Sequence, residues 1–230
     1  MLEAQELSRT YTSDGAAYDA LRGVDLKINK GECVAIVGRS GSGKSTLMHL
    51  LACLDEPTTG RILLEGRDLS KLSEKEKNRL RNEKFGFVFQ QFFLNGRDTV
   101  MENIALPLRI RGVKESEIKT MSLAALDAVG LADKAKKRAK DLSGGEKQRV
   151  CIARAIVSRP EMIFADEPTG NLDTTTGETV EELLFEMNKS RGITLVIVTH
   201  DAELAAKCDR IVNMKDGMIE ADNAREGEMR

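Results

Sequence analysis

The sequence predicts an α/β protein whose sheet is mainly parallel, with a small antiparallel β-unit at its start and a helical segment in its middle. Residues 33–37 form a short, continuous apolar run with β-branched members, typical of a strand buried on both faces. Residues 193–198 predict a second buried strand rich in β-branched residues, and residues 161–165 predict another core strand. Residues from about 100 to 160 have helical patterns almost throughout. This order predicts a helical insertion in a parallel core that resumes afterwards.

The antiparallel unit is predicted from alternation near the N-terminus. Residues 2–7 and 21–28 alternate between apolar and polar side chains, and the turn-rich residues 12–15 lie between them. Residues 61–65 follow a turn and predict another strand. These segments predict a small antiparallel sheet ahead of the parallel core.

A charged helix and an aromatic strand are predicted next. Ser73 and Glu76 match a capping box, so a helix is expected to begin there and to run to about Lys84. Residues 85–89 form an aromatic strand that ends at Gln90. A polar side chain at the carboxyl end of a buried strand is a candidate ligand contact, because ligands bind there in open α/β sheets.

Two predictions concern the helical segment. Leu123, Leu126 and Val129 are expected to share one apolar helix face. The basic run KAKKRAK, residues 134–140, has no interleaved aromatic residues and favours a solvated helix face over contact with membrane headgroups.

The C-terminal part is predicted as a helix followed by a hairpin. Helical spacing extends from about residue 176 to 190. Residues 210–220 carry Asp216-Gly217 between alternating apolar residues, which is typical of a two-residue hairpin turn.

Composition bounds the class of protein. With 230 residues, 41% of them hydrophobic and 31% charged, the chain is long enough to bury a sizeable core and has the balance of a soluble globular protein. The net charge of −2 provides no general basic field that would favour nucleic acid as the ligand.

Cysteine usage and the N-terminus predict a cytosolic protein. The cysteines lack C-x-x-C spacing, and only two histidines are present, so buried reduced thiols are expected and a zinc site is not. The first residues show no secretory signal pattern, and no apolar stretch approaches the length of a membrane span. The four cysteines are Cys33, Cys53, Cys151 and Cys208.

A glycine-rich loop joins the first buried run to an amphipathic helix. It fits G-x-x-x-x-G-K-[ST], in which successive backbone N–H groups form a nest for an anion. Apolar residues recur at helical spacing over residues 47–51, so the positive end of a helix points at the same anion. Lys44 is placed to reach β- and γ-phosphates and Ser45 to bind Mg²⁺, and a chance glycine-rich turn is disfavoured by the strand before and the helix after. The residues predicted to bind the nucleotide here are Gly38, Arg39, Ser40, Gly41, Ser42, Gly43, Lys44, Ser45 and Thr46.

Tyr11 is a candidate for contact with the nucleotide base. It is one of two tyrosines in a chain without tryptophan, and it lies near the end of a predicted strand. Two interpretations remain open for its ring, stacking on a base or packing within the β-unit.

Further motifs resemble those of the ATP-binding cassette (ABC) ATPases. Residues 142–146 (LSGGE) resemble the signature motif, and residues 162–168 (MIFADEP) resemble the Walker B strand with its following glutamate. Residues 171–173 resemble the D-loop. Together with the phosphate loop, Gln90 and His200, these motifs occur in the family's order, and the resemblance covers nearly all 230 residues. A phosphate loop alone leaves kinases and GTPases open, whereas this set does not.

The resemblance implies catalytic roles. ATP hydrolysis requires neutralisation of phosphate charge, a positioned water and a base. Asp166 is expected to hold Mg²⁺ together with Ser45 and Gln90. Glu167 is expected to polarise the attacking water, and His200 to donate to the γ-phosphate, although His200 considered alone would be assigned to an ordinary loop. The predicted catalytic residues are Lys44, Gln90, Glu167 and His200.

The resemblance also implies a head-to-tail dimer. In the family the signature loop is too far from its own phosphate loop to touch the same nucleotide, so it completes the site of a second copy. The γ-phosphate gives the signature loop an anion to bind, and ADP does not reach it. The residues concerned are Ser143, Gly144, Gly145 and Glu146, of which Glu146 stands where glutamine is commoner.

The domain organisation implied by the family is a single ABC ATPase domain over residues 1–230. Its P-loop NTPase core, with a RecA-like mainly parallel sheet, is expected over about residues 1–90 and 160–230. The helical subdomain that carries the signature motif is expected over about residues 91–159.

Three stretches are most similar to the subgroup that serves lipoprotein release, macrolide export and the FtsE/FtsX cell-division system, namely residues 54–60, 87–94 and 169–177. Members of this subgroup are ATPase subunits beneath membrane permeases. The similarity implies permease partners and a peripheral position on the cytoplasmic face of the inner membrane. Polar residues 95–98 replace a more apolar loop where a permease helix docks, which leaves the partner's identity and the transported substrate open.

Two other functional classes share parts of this pattern. The main alternative is a non-transport ABC ATPase that acts on nucleic acid or ribosomes, but the chain lacks the coiled-coil insertion, the zinc modules and the second cassette of those types. A P-loop small-molecule kinase does not explain the LSGGE sequence or the positions of Gln90 and His200. The sequence therefore predicts a transport ATPase subunit that uses ATP and Mg²⁺, with no nucleic-acid partner.

Overall fold

The secondary structure follows the predicted patterns closely. The structure, a computed structural model, describes residues 1–13 and 16–224, and the side chain of Ser13 is not described. In those residues the strands are β1 Leu2–Ser13, β2 Ala16–Ile28, β3 Cys33–Gly38, β4 Thr59–Leu64, β5 Arg67–Asp68, β6 Phe85–Phe89, β7 Met162–Asp166, β8 Thr194–Val198, β9 Arg210–Lys215 and β10 Met218–Ala224. The α-helices are α1 Lys44–Leu51, α2 Glu74–Lys84, α3 Val100–Ile110, α4 Glu115–Asp127, α5 Gly144–Ile156, α6 Thr174–Arg191 and α7 Ala202–Ala206.

The chain packs as two compact units. The first unit contains residues 1–77 and the described residues from 194 onward, and the second contains residues 78–193. These are packing units, and the division into core and helical subdomain at about residues 90 and 160 stays a prediction.

The first unit contains the predicted antiparallel sheet, with strand order β2-β1-β4-β5. β1 pairs antiparallel with both β2 and β4. Val24, Leu26 and Ile28 are buried and alternate with exposed residues, which is the pattern of a sheet with one face on a core. β1 and β2 are longer than predicted because their pairing continues to Ser13. Of the predicted turn at residues 12–15, residues 14 and 15 lie outside the described residues.

The first unit also contains the strand order β10-β9-β3-β8. β3 pairs in parallel with β8 on one side and with β9 on the other, and β10 closes the predicted hairpin with β9. The apolar runs of β3 and β8 are buried, as expected for strands covered on both faces. Because β3 and β8 are parallel, the loops that follow them lie at the same edge of the sheet.

In the second unit, β6 and β7 form a parallel pair in which Phe89 lies opposite Asp166. The aromatic prediction for β6 is confirmed, and its Phe85 packs edge-on against Phe164 of β7, with ring centroids 5.2 Å apart. The segments that follow these two strands therefore lie side by side at one edge.

Two predictions for the helical segment are wrong in detail. Leu126 and Val129 are buried, but Leu123 is 37% exposed, because α4 turns Ile118 and Ala125 inward instead. The basic run 134–140 does not form a regular helix.

The basic run instead caps another helix. It makes short 3₁₀ turns, and its backbone carbonyls at Ala135 and Lys137 accept from the N–H groups of Met101 (3.0 Å) and Val100 (2.8 Å). These two donors belong to the first turn of α3 and have no partner within that helix. The need to satisfy them accounts for the irregular path of the run.

The cysteine prediction is confirmed for burial, since all four thiols are free and buried. Over residues 1–13 and 16–224, no helix combines the length and the apolar character that crossing a bilayer requires.

Candidate active site

The glycine-rich loop of the first unit connects β3 to α1. Gly43 precedes α1 with a φ of 99°, and a Cβ there would lie 2.6 Å from the carbonyl oxygen of Ala20, so only glycine fits. The first turn of α1 contains no acidic residue. Its N-terminal N–H groups and partial positive charge therefore face the loop without a competing carboxylate from the helix itself.

The polar groups of the loop are arranged for an anion. The Lys44 ammonium donates to the carbonyl oxygens of Gly38 (2.8 Å) and Arg39 (3.0 Å). The Gly41 carbonyl accepts from the Tyr18 hydroxyl at 3.2 Å. The loop carbonyls are thus engaged by protein donors, and the Lys44 ammonium and the N-terminus of α1 form a donor set that suits the phosphates of a nucleotide. Tyr18 was not predicted, and its partner lies 23 residues away in sequence.

His200 lies at the same edge of the sheet as this loop. The N–H of Thr199 donates to the carbonyl oxygen of Ile36 in β3 at 3.2 Å. Thr199 is buried, whereas the His200 side chain is exposed. Asp201 then caps α7 by accepting from the N–H groups of Glu203 and Leu204. The exposed His200 side chain thus lies between the buried end of β8 and the capped N-terminus of α7.

Tyr11 lies in β1 opposite Tyr18 of β2. Its hydroxyl donates to Asp55 at 2.7 Å, and the Arg9 guanidinium lies over its ring, 4.6 Å from the centroid. The ring is 36% exposed. These contacts fix the orientation of the ring and are compatible with both interpretations of its role.

In the second unit, Gln90 and Glu167 follow the paired residues Phe89 and Asp166, so the two segments are neighbours. Gln90 is held by a reciprocal pair of amide hydrogen bonds with Asn171. Its Nε2 donates to Asn171 Oδ1 at 3.2 Å, and Asn171 Nδ2 donates to the Gln90 carbonyl at 2.9 Å. The predicted metal ligand is thereby tied to the segment that resembles the D-loop.

Glu167 has an unusual backbone conformation. Its φ of 45° is left-handed, which is uncommon for a residue other than glycine. The Glu167 carbonyl accepts from the Gly170 N–H at 3.1 Å, which closes a tight turn. Asp166 and Glu167 are both half-buried. Backbone strain of this kind persists only where the surrounding structure holds it, and it is common at functional sites.

The signature residues begin α5 in a capping box. The Ser143 hydroxyl accepts from the Glu146 N–H at 3.2 Å, and the Glu146 carboxylate accepts from the Ser143 N–H at 2.9 Å. The Ser143 N–H and the nearby Lys134 ammonium keep the pKa of Glu146 below its ordinary value. Ser143 is exposed, and a Cβ on Gly145 would overlap the Thr176 side chain. Glu146 therefore holds the loop conformation, while the serine hydroxyl keeps its proton for another acceptor.

One face of α5 holds the segment after Gln90, which sequence reasoning missed. Cys151 Sγ donates to the Phe92 carbonyl at 3.1 Å. Arg154 donates to the carbonyls of Phe92 (2.9 Å) and Phe93 (2.7 Å). The only sequence signal is the recurrence of residues able to donate hydrogen bonds at every third position, beginning with Gln148, in a largely buried helix.

The phosphate loop, the two strand ends and the capped signature loop define an ATP-binding cassette ATPase, and the chain belongs to this family. The family model described as "ABC transporter" matches residues 21–170. One relative is the lipoprotein-releasing system ATP-binding protein LolD of Alcanivorax borkumensis. It is 45% identical over 219 residues, which cover 95% of this chain and 96% of LolD.

Solved structures agree with this assignment. The dimeric ABC transporter cassette MJ0796 superimposes with a TM-score of 0.91 at 39% identity, covering 99% of this chain and 100% of that one. CbiO1 from Clostridium perfringens, part of the ABC transporter complex cbiONQ, gives a TM-score of 0.86 at 34% identity, covering 97% and 88%. The predicted fold class, an α/β cassette with an antiparallel β-subdomain and helices, is confirmed.

Proposed function

We propose that this chain is the ATP-hydrolysing subunit of a lipoprotein-release type ABC transporter and that it drives a membrane permease. The observation that carries the proposal is the 45% identity, over 95% of the chain, to the ATP-binding protein of a lipoprotein-releasing system. The motif order and the site geometry described above supply the chemistry.

The phosphate loop binds the β- and γ-phosphates of ATP. The Lys44 ammonium donates to the carbonyl oxygens of Gly38 and Arg39. When ATP binds, it donates to phosphate oxygens instead. The loop N–H groups and the N-terminus of α1 supply donors fixed by the backbone. Tyr11 contacts the base.

Mg²⁺ is held by Ser45, Gln90 and Asp166. A hydroxyl, an amide oxygen and a carboxylate are hard oxygen ligands, which Mg²⁺ prefers alongside phosphate oxygens and water. When bound, the ion neutralises charge that develops on the phosphates.

Glu167 and His200 act on the γ-phosphate. The Glu167 carboxylate accepts a hydrogen bond from the attacking water and so orients and polarises it. His200 donates to a γ-phosphate oxygen, a contact that strengthens as charge shifts in the transition state.

Two copies enclose ATP head to tail, with the signature residues Ser143, Gly144, Gly145 and Glu146 of each facing the nucleotide of the other. The MJ0796 cassette has been solved as a dimer, including a post-hydrolysis state bound to ADP and Pi. The exposed serine and the helix N-terminus of α5 suit a γ-phosphate. The subunit lies on the cytoplasmic face of the inner membrane, where the permease holds it.

Isolation of the tagged chain from detergent-solubilised membranes tests the proposal. We expect mass spectrometry to identify a membrane permease, and the complex to hydrolyse ATP. Lys44→Ala is the matched control, since it should retain the permease and lose hydrolysis. Recovery of ribosomes or nucleic acid in place of a membrane protein would favour a non-transport ATPase.

A further inference from the structure

We infer that Gln148 is a positioning residue for hydrolysis, because its amide holds in place the two segments that carry Gln90 and Glu167. The inference rests on the proposed function, which assigns those two residues to the metal ion and to the attacking water. Gln148 itself is not proposed to contact either the metal ion or the attacking water.

The side chain of Gln148 lies within the second unit, one turn after the signature loop. It is 1% exposed. Its Nε2 donates to the carbonyl oxygen of Pro168 at 2.6 Å and to that of Phe89 at 3.3 Å. Pro168 directly follows Glu167, and Phe89 directly precedes Gln90. One buried amide group therefore joins the ends of two neighbouring strands at the residues next to the proposed chemistry.

The backbone at Glu167 requires such support. Its φ of 45° is left-handed, and a residue before proline is further restricted toward extended conformations. Pro168 has no N–H, so its carbonyl is the one backbone group of that residue that can form a hydrogen bond. The Gln148 bond fixes that carbonyl, and with it the direction in which the Glu167 side chain leaves the turn.

The amide oxygen of Gln148, Oε1, argues against a purely structural role for this side chain. Its Oε1 is buried and accepts no hydrogen bond from any of the described residues. A buried, unpaired oxygen is destabilising, and an apolar side chain of the same length would avoid it. What glutamine adds at this position is the pair of N–H donors, which act on Pro168 and Phe89.

The test uses Gln148→Met, which keeps the length and burial of the side chain and removes both donors. We expect kcat for ATP to fall about tenfold, as when one buried hydrogen bond no longer orients a catalytic group, and KM for ATP to change less than about twofold. The KM expectation follows because the phosphate loop is untouched.

Asn188→Leu is the matched control. It removes a buried amide of the same unit that donates to the Ile193 carbonyl at 2.8 Å, away from Gln90 and Glu167. It should reduce stability and leave kcat unchanged. An equal loss of kcat in both variants, or normal kcat in Gln148→Met, would overturn the inference.

Two further measurements separate positioning from other roles. In a Glu167→Gln background, Gln148→Met should reduce the residual single-turnover hydrolysis by a smaller factor than it does in the wild type, because part of its effect is exerted through the carboxylate already removed. Independently of activity, exchange of the Gly170 amide, which donates to the Glu167 carbonyl, should be faster in Gln148→Met than in Asn188→Leu.

If Gln148→Met does not fold, Gln148→Asn keeps the amide at a shorter reach and should show the same changes in kcat and exchange. Unchanged Gly170 exchange contradicts the inference even in a protein without activity. A wild-type chain that does not hydrolyse ATP contradicts the proposed function instead.

Discussion

The Lys44 ammonium donates to the Gly38 carbonyl at 2.8 Å, so the cation is already held over the phosphate loop by the loop's own backbone. Because the Lys44 side chain is already in place, it needs to move little when its ammonium group donates to a phosphate instead. The loop therefore combines one mobile charge with fixed N–H groups, and the two contributions can be separated by mutation.

Lys44→Ala should abolish hydrolysis and weaken ATP binding at least tenfold, because it removes a charge-assisted hydrogen bond to the β- and γ-phosphates. Titration calorimetry with ATP and a phosphate-release assay measure the two effects. Lys30→Ala, which removes an exposed lysine of the same unit, is the matched control and should behave like the wild type. Normal turnover in Lys44→Ala would contradict the assignment of the loop.

Tyr11→Ala should weaken ATP binding by about 1 to 2 kcal/mol if the ring stacks on the base. Tyr11→Phe keeps the ring and loses only the hydroxyl bond to Asp55, so it should bind ATP nearly as the wild type does. Binding of tripolyphosphate, which has no base, should be the same in all three proteins. Unchanged ATP affinity in Tyr11→Ala would assign the ring to packing.

Much of the fold could be predicted because its signals are local. The buried strand β3 is a continuous apolar run, β8 is rich in β-branched residues, and β6 has an aromatic residue at every second position, so each was found within two residues of its observed bounds. The basic run 134–140 was mispredicted as a helix because its path is set by the N–H groups of another helix, α3, more than 30 residues earlier. The sequence of residues 134–140 alone does not indicate that their carbonyls must accept hydrogen bonds from α3.

In the candidate site, too, features formed by consecutive residues could be predicted, and contacts between distant residues could not. The phosphate loop is eight consecutive residues and could be found by inspection, whereas Gln148 reaches Phe89 across 59 residues and Pro168 across 20. Its partners are backbone carbonyls, which every residue has, so no residue type at those positions identifies the contact. Positioning residues of this kind become visible only once the chain is folded.

Glu146→Gln should lower stability at neutral pH by about 0.5 to 1 kcal/mol, because it removes a carboxylate that caps the N-terminus of α5 and lies 3.7 Å from Lys134. The pKa of Glu146 is lowered in the folded protein, so this stabilisation is present above the ordinary glutamate pKa and is lost as the pH falls through the folded value. The difference in Tm between variant and wild type should therefore be retained from pH 7 to pH 5 and should shrink as the pH falls below the ordinary glutamate pKa of 4.5. A difference independent of pH would mean that the charge contributes nothing.

The last prediction concerns assembly. Glu167→Gln preserves the size of the side chain and removes the carboxylate that polarises water, so it should bind ATP without hydrolysing it and hold the closed dimer. In size-exclusion chromatography we expect this variant to run as a dimer with ATP and as a monomer with ADP, because only ATP presents a γ-phosphate to the signature loop of the other copy.

The contribution of the signature loop is tested in the same background. Ser143 is exposed at the start of α5, and Ser143→Arg places a bulky side chain where the facing γ-phosphate would bind, so the double variant should be a monomer with ATP. Ser116→Arg adds the same charge and bulk at an exposed serine in the first turn of α4 and should leave the dimer intact. If Glu167→Gln stays monomeric at saturating ATP, or if the Ser143→Arg double variant still dimerises, the signature loop does not act across an interface. Loss of the dimer in both arginine variants would show only that added positive charge opposes association, whereas loss in Ser143→Arg alone places the γ-phosphate contact at α5.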